Sequence, residues 1–227
     1  MKIKWSGIAV VDGRGKINGS VASKNRSGAY MRTKVTPVNP QTSAQVAARN
    51  VLSNFSQAWS GITQAARDAW NSAVGDFQTT DIFGDLRSPT GKNLYTKLNA
   101  NLVSVGLAAI GVPPLPSSVP SLSITSLDIA IGAGQFDATF TGDNAAVSYQ
   151  VWATPGVSPG VSFVKSEYRQ IGAVAGGGGS PYDFSADYIA KYGNPAVGTK
   201  VFVKMVPVNA TTGQKGLGSE GSTIVLA

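Results

Sequence analysis

The sequence predicts an α+β segment, made of a β-hairpin and about three helices, followed by an all-β sandwich. Three observations predict this order: apolar residues recur at helical spacing between residues 44 and 105, four prolines crowd positions 112–120, and short alternating runs fill the remainder. We therefore expect an anchoring domain over 1–111, a stiff proline-rich linker over 112–120 and the sandwich over 121–227.

Glycine turns near the start of the chain predict the hairpin. The turn falls at residues 24–28, between two extended runs. Because strand side chains alternate between faces, Tyr30, Arg32 and Lys34 should lie on one face. That face would be cationic and carry one aromatic ring.

Three apolar stripes at spacings of three and four predict the helices. The first begins at a capping box, Thr42-x-x-Gln45, the second at Thr63 and the third near Pro89. Gly61 lies near the end of the first stripe, and Gly75 and Gly106 are the expected stops of the second and third. Trp59 and Trp70 fall on these stripes, which favours core packing over ligand stacking.

Six or seven short β-like runs follow the prolines, separated by Gly, Asn, Asp and Pro turns. Such runs without a long helix are typical of an antiparallel sandwich of the immunoglobulin or fibronectin type III kind. The run FSADYIAKYG, residues 184–193, predicts one or two helical turns between strands. The run AGGGGS, residues 175–180, lacks the Gly-Lys-Ser/Thr ending of a phosphate loop and predicts a flexible loop between strands.

The composition limits the available chemistry. The chain has no histidine, no cysteine and only two glutamates, which excludes Ser-His-Asp triads, Cys-His dyads and thiolate metal sites. We assign no catalytic, cofactor-binding or metal-binding residue and expect no enzymatic activity, with a carboxylate-based carbohydrate-active enzyme as a remote option. No apolar run is long enough for a membrane span, so no membrane partner is expected.

Positive charge is concentrated at the N-terminal end. The net charge of +7 divides into +8 for residues 1–50, 0 for residues 51–118 and −1 for residues 119–227. Such asymmetry indicates an attachment surface for something acidic, whether nucleic acid or a protein face.

Four residues of the basic hairpin are the candidate partner-binding residues: Arg26, Tyr30, Arg32 and Lys34. A cationic face with an aromatic ring suits a single-strand nucleic-acid platform. It also suits a solvated edge strand whose charges prevent unwanted sheet pairing. The third interpretation is a docking surface on which arginines bind partner carboxylates. Composition does not choose among the three.

A set of short motifs extends over the first half of the chain. The motifs are Gly19, Asn25–Gly28, Tyr30 with Arg32, the run PVNPQT at 37–42, Gln45, Arg49, Trp59, the run RDAWN at 67–71 and the run LYTKLNANLVSVG at 94–106. Together they resemble a pattern in virion structural proteins of tailed bacteriophages and prophages, including the crAss-like phages of Bacteroides.

This resemblance implies a structural protein of the virion, assembled in the host cytoplasm. An anchoring domain, a linker and a displayed sandwich together imply a head decoration or head-fibre component that binds other virion proteins, such as the major capsid protein, as a homo-oligomer. A tail, neck or portal-associated position and a nucleic-acid-binding role are the alternatives.

Overall fold

The structure, a computed structural model, describes residues 3–4, 14–36 and 38–227, and it shows an α+β chain with antiparallel sheets. The α+β class expected from the sequence is confirmed. The chain divides into two compact units: unit 1 is Met1–Arg49 with Thr79–Arg87, and unit 2 is Asn50–Gln78 with Ser88–Ala227. The predicted domains, 1–111 and 121–227 with a linker over 112–120, stay a prediction.

Unit 1 contains a four-stranded antiparallel sheet in the order β1-β4-β3-β2. The strands are β1 (Ile3–Lys4), β2 (Gly15–Ile17), β3 (Ser20–Asn25) and β4 (Gly28–Thr33). The predicted hairpin is confirmed, because β3 and β4 pair with Asn25 opposite Gly28. In the turn between them, the Asn25 side-chain oxygen accepts a hydrogen bond from the Ser27 amide at 2.8 Å. Gly28 has φ +105°, which favours glycine there.

A second, two-stranded ladder belongs to unit 1. It pairs β5 (Thr79–Thr80) with β6 (Leu86–Arg87) and closes a short loop between them.

The three predicted helices are confirmed. They are α1 (Ser43–Gly61), α2 (Gln64–Ser72), which continues into a 3-10 turn (Ala73–Phe77), and α3 (Gly91–Ser104). Each begins after a threonine whose hydroxyl accepts an amide hydrogen bond: Thr42 from Gln45 at 3.3 Å, Thr63 from Ala66 at 3.3 Å and Thr90 from Asn93 at 3.2 Å. Such caps satisfy backbone donors that a helix start leaves free.

Aromatic side chains form the core of the helical part of unit 2. Trp70 is fully buried, and its indole nitrogen donates to the Gly111 carbonyl at 2.9 Å. The rings of Phe55, Trp59 and Trp70 all lie 5.4–6.0 Å from the Tyr95 ring. Core packing of Trp70 is thus confirmed, while Trp59 is half-buried on Tyr95.

The remainder of unit 2 consists mainly of two antiparallel sheets that share one core. The order is β10-β9-β12-β13 in one sheet and β11-β8-β7 in the other. The elements are β7 (Ser123–Ala130), β8 (Gln135–Thr141), β9 (Val147–Ala153), β10 (Arg169–Ala175), β11 (Tyr182–Asp183), α4 (Ser185–Tyr192), β12 (Lys200–Asn209) and β13 (Ser219–Ile224). Both sheets and α4 supply core residues, including Phe136, Val151, Val203 and Tyr188. The helical turns predicted for 184–193 are α4.

Helix α3 packs against the four-stranded sheet of unit 2. The Gln170 side chain donates to the Ser104 carbonyl at 2.7 Å, and the Gln150 side chain donates to the Ser104 hydroxyl. Residues 112–120 contain no helix or strand, yet the Ser117 amide donates to the Gln214 side chain at 2.8 Å. The proline-rich run is therefore fixed to the β part of unit 2.

Candidate partner-binding groove

A groove of about 680 Å³ opens in unit 1 between the hairpin and the loop that joins β5 to β6. Ala29, Tyr30 and Arg32 line it from the hairpin, and Ile82 and Phe83 line it from the loop. We call it the hairpin groove. Its lining combines aromatic, aliphatic and charged side chains.

Strand alternation places the hairpin side chains of the groove. Tyr30 and Arg32 are two residues apart on β4, opposite Ser23 and Val21 of β3. Their side chains therefore leave the same face of the sheet. Tyr30 is half-buried, whereas Arg32 is exposed. This is the cationic and aromatic face that the sequence predicts.

A single carboxylate holds the loop between β5 and β6 in shape. Asp81 Oδ1 accepts the amides of Phe83 at 2.8 Å and Asp85 at 3.1 Å, and Asp81 Oδ2 accepts Arg87 Nε at 3.1 Å. The Phe83 amide contributes most to lowering the pKa of Asp81, with further lowering by Arg87 and the Asp85 amide and an opposing contribution from desolvation. Asp81 is thus ionised at neutral pH and fixes the backbone beneath Ile82 and Phe83.

The loop presents two large apolar side chains to solvent. Ile82 is 76% exposed and Phe83 is 54% exposed. The sequence does not reveal this half of the groove, because residues 79–87 lie far along the chain from the hairpin. The run DIFGD at 81–85 does carry a signal, since an Asp two residues before an apolar residue and a glycine is typical of a side-chain-stabilised turn.

Charges within unit 1 are unevenly compensated. Its described acidic residues, Asp81 and Asp85, both pair with Arg87, at 3.1 Å and 3.2 Å. Over the described ranges of the chain, no ion pair involves Arg26, Arg32 or Lys34, and all three are exposed. The hairpin therefore keeps a positive face.

The groove includes two of the four predicted partner-binding residues. Tyr30 and Arg32 line it, whereas Arg26 lies in the turn and Lys34 follows the end of β4, both outside the lining. Whether any of the four binds a partner stays a prediction.

In a second charged cluster, which lies in unit 2, the polar side chains contact one another. Lys204 Nζ donates to Glu220 Oε1 at 2.6 Å, and the Tyr168 hydroxyl lies 3.5 Å from Glu220 Oε2. Burial, with a smaller effect of the Glu220 charge, raises the pKa of Tyr168 to about 12. Lys204 and Glu220 neutralise one another on the sheet, so the cluster is a weaker candidate than the hairpin groove.

Within residues 3–4, 14–36 and 38–227, no group of three or more acidic residues is arranged to hold a metal ion. In the same part of the chain, no helix combines the length and apolar character needed to cross a membrane. Comparison with known proteins gives no match among family models, curated proteins or solved structures.

Proposed function

We propose that the chain is a structural protein of a bacteriophage virion, associated with the capsid as a head decoration or head-fibre component. It attaches through unit 1 and displays the β part of unit 2, which we interpret as an immunoglobulin-like sandwich. It acts by binding and not by catalysis, and its partners are other virion proteins such as the major capsid protein.

One observation carries this proposal: three exposed cations of the hairpin, Arg26, Arg32 and Lys34, have no ion-pair partner among the described residues. Uncompensated charge on one face favours association with an acidic surface. The resemblance of the first half of the chain to phage structural proteins supports a virion partner. Many copies on a symmetric shell would add avidity, so each contact can be modest.

The first experiment locates the protein in the particle. A cryo-electron microscopy map of intact particles from the encoding genome should show density for the chain on the outer shell. Density in the tail, neck or portal region would keep the structural role and change its position. Absence of the chain from purified particles would overturn the proposal.

The second experiment tests the hairpin with charge-matched variants. Particles stripped of the protein should rebind the purified chain, and Arg26→Ala/Arg32→Ala/Lys34→Ala should weaken rebinding by at least about tenfold. The control is Lys92→Ala/Lys165→Ala/Lys191→Ala, which removes the same number of positive charges from exposed positions of unit 2. Equal weakening by both variants would contradict specific attachment through the hairpin.

Nucleic-acid binding is the second candidate, and the positive face of the hairpin is the observation that favours it. A chain that binds phosphates should show an affinity whose logarithm falls steeply with the logarithm of salt concentration. No binding to single-stranded DNA at low salt would exclude this function.

A further inference from the structure

We infer that the hairpin groove binds a short peptide segment of the partner protein in which a carboxylate neighbours a large apolar side chain. This inference rests on the proposed attachment role of unit 1 and adds the chemistry of the segment that is bound. Two halves of the groove lead to it, one apolar and one cationic.

The apolar half of the groove is a preformed contact surface. Ile82 and Phe83 remain largely exposed beside Ala29 and Tyr30 of the hairpin. Covering large apolar side chains is favourable in proportion to the area removed from water. Asp81 holds the backbone of this loop by accepting hydrogen bonds from two of its amides. Because the loop is already ordered, little conformational entropy is lost when a partner binds.

The cationic half is the Arg32 guanidinium. Arg87 also lines the groove, but its guanidinium already contacts Asp81 and Asp85. Arg32 has no such ion pair in the described ranges of the chain and is exposed at the groove. A guanidinium can donate two parallel hydrogen bonds to one carboxylate, which gives direction as well as charge.

The mixture of charges favours a peptide over a nucleic-acid strand. Asp81 lines the groove and is ionised at neutral pH, since hydrogen bonds lower the pKa of its carboxyl. A nucleic-acid strand carries a phosphate on every nucleotide and would bring several of them close to this carboxylate. A peptide can place one carboxylate at Arg32 and apolar groups elsewhere.

The test begins with selection from a random peptide library on the full chain. Enriched sequences should combine an acidic residue with a neighbouring Leu, Ile, Phe or Met. The enriched consensus is then synthesised with a fluorescent label in three forms: unchanged, with its acid replaced by the amide, and with its apolar residue replaced by serine. Each replacement should weaken binding by about tenfold. A labelled oligothymidylate serves as the nucleic-acid probe.

Variants of the chain assign the binding to the groove. Arg32→Ala and Phe83→Ala should each weaken binding of the consensus peptide by about tenfold. Arg26→Ala is the matched control, because Arg26 is an exposed cation of the same hairpin that does not line the groove. The affinity of the Arg26→Ala variant for the consensus peptide should stay near that of the unchanged chain. Equal thermal unfolding midpoints show that all three variants are folded.

Several outcomes would overturn the inference. These are no enrichment, enrichment of basic or purely polar peptides, equal loss with Arg26→Ala and Arg32→Ala, or tighter binding of oligothymidylate that Arg32→Ala abolishes. If particles retain the Arg32→Ala/Phe83→Ala variant at full occupancy, the groove inference fails while the structural role stands. If the peptide binds as expected but particles lack the chain, the proposed function fails instead.

Discussion

The Asn101 side-chain amide donates a hydrogen bond of 2.8 Å to the carbonyl oxygen of Gly213. Asn101 lies in α3 and Gly213 lies between β12 and β13, so this bond joins the helical and the β parts of unit 2. Gly213 also lies directly against the Leu98 carbonyl oxygen, leaving no room for a side chain.

Gly213→Ala should therefore weaken the packing of α3 on the sheet. An added Cβ would overlap the Leu98 oxygen and approach Leu102, and the backbone there has φ +71°. Gly134→Ala is the matched control, because Gly134 has φ +64° and open space around it. Left-handed strain affects both variants, so Gly213→Ala should lower the free energy of unfolding by roughly 1–3 kcal/mol more than Gly134→Ala. Chemical denaturation measures both, and equal losses would contradict the packing explanation.

Local patterns predicted the hairpin and the helices, because the residues that specify them are close in sequence. Thr42, Thr63 and Thr90 each cap a helix from a position three residues before the amide that they satisfy. The hairpin turn depends in the same way on Asn25 and Gly28.

The remaining features depend on residues that are distant in sequence. The groove needs Arg32 and Phe83 together, and nothing in the spacing of these residues indicates that the β5–β6 loop faces the hairpin. The contact between Asn101 and Gly213 spans 112 positions and is equally invisible to periodicity. Helical spacing of apolar residues also does not show which of them are buried. Ala44 and Ala48, at the start of the first predicted stripe, are exposed.

The glycine run at 175–180 is held by a carboxylate. Asp143 accepts the amides of Gly177 and Gly179 at 3.0 Å each, and the Tyr149 hydroxyl at 3.2 Å. A phosphate loop would leave such amides free for a ligand. Residues 176–180 do form a loop after β10, as the sequence predicts, whereas the flexibility of this loop stays a prediction.

A pair of alanine substitutions tests whether this loop is tightly fitted. At Gly176, an added Cβ would overlap the carbonyl oxygens of Asn144 and Val147, whereas at Gly178 the nearest atom is the Ala175 oxygen at 3.5 Å. Gly176→Ala should cost roughly 1–3 kcal/mol of the free energy of unfolding. Gly178→Ala should be close to neutral, since it also restricts the unfolded chain. Thermal and urea unfolding measure the stability of both variants. Similar stabilities would show that the loop shifts to accommodate the added methyl group.

The same carboxylate should make the loop sensitive to acid. The Gly177 amide contributes most to lowering the pKa of Asp143, and the Gly179 amide, the Tyr149 hydroxyl and the Asn144 amide lower it further against desolvation. A lowered pKa in the folded state means that the stabilisation is present above the ordinary aspartate value of 3.8 and is lost as pH falls through the folded-state pKa.

The amide chemical shifts of Gly177 and Gly179 should stay constant from neutral pH to about pH 4 and move together at lower pH. Asp143→Asn removes this titration, and a midpoint at or above 3.8 in the unchanged chain would contradict the assignment.

Asn99 is a buried side chain whose hydrogen bonds require an amide. It is fully buried in α3, where its Nδ2 donates to the carbonyls of Tyr95 at 3.0 Å and Ile110 at 3.2 Å, and its Oδ1 accepts the Ile110 amide at 2.6 Å. It therefore fixes the segment that follows α3 to the helix. An aspartate at this position keeps the shape of the side chain but has no donor when ionised.

Asn99→Asp should destabilise the chain strongly for this reason. An ionised carboxylate would face two carbonyl oxygens without water, so the variant loses two donated hydrogen bonds and must bury charge or take up a proton. We expect a loss of roughly 2–5 kcal/mol in the free energy of unfolding at pH 7. The loss should shrink as pH falls, because protonation restores a donor and removes the charge.

Asn93→Asp is the matched control, because Asn93 is exposed in the first turn of α3, where a negative charge is favourable. The stability of this variant should equal or slightly exceed that of the unchanged chain. Urea denaturation at pH 7 and pH 5 measures both variants. A pH-independent loss for Asn99→Asp would show that packing, and not the missing donor, explains its effect.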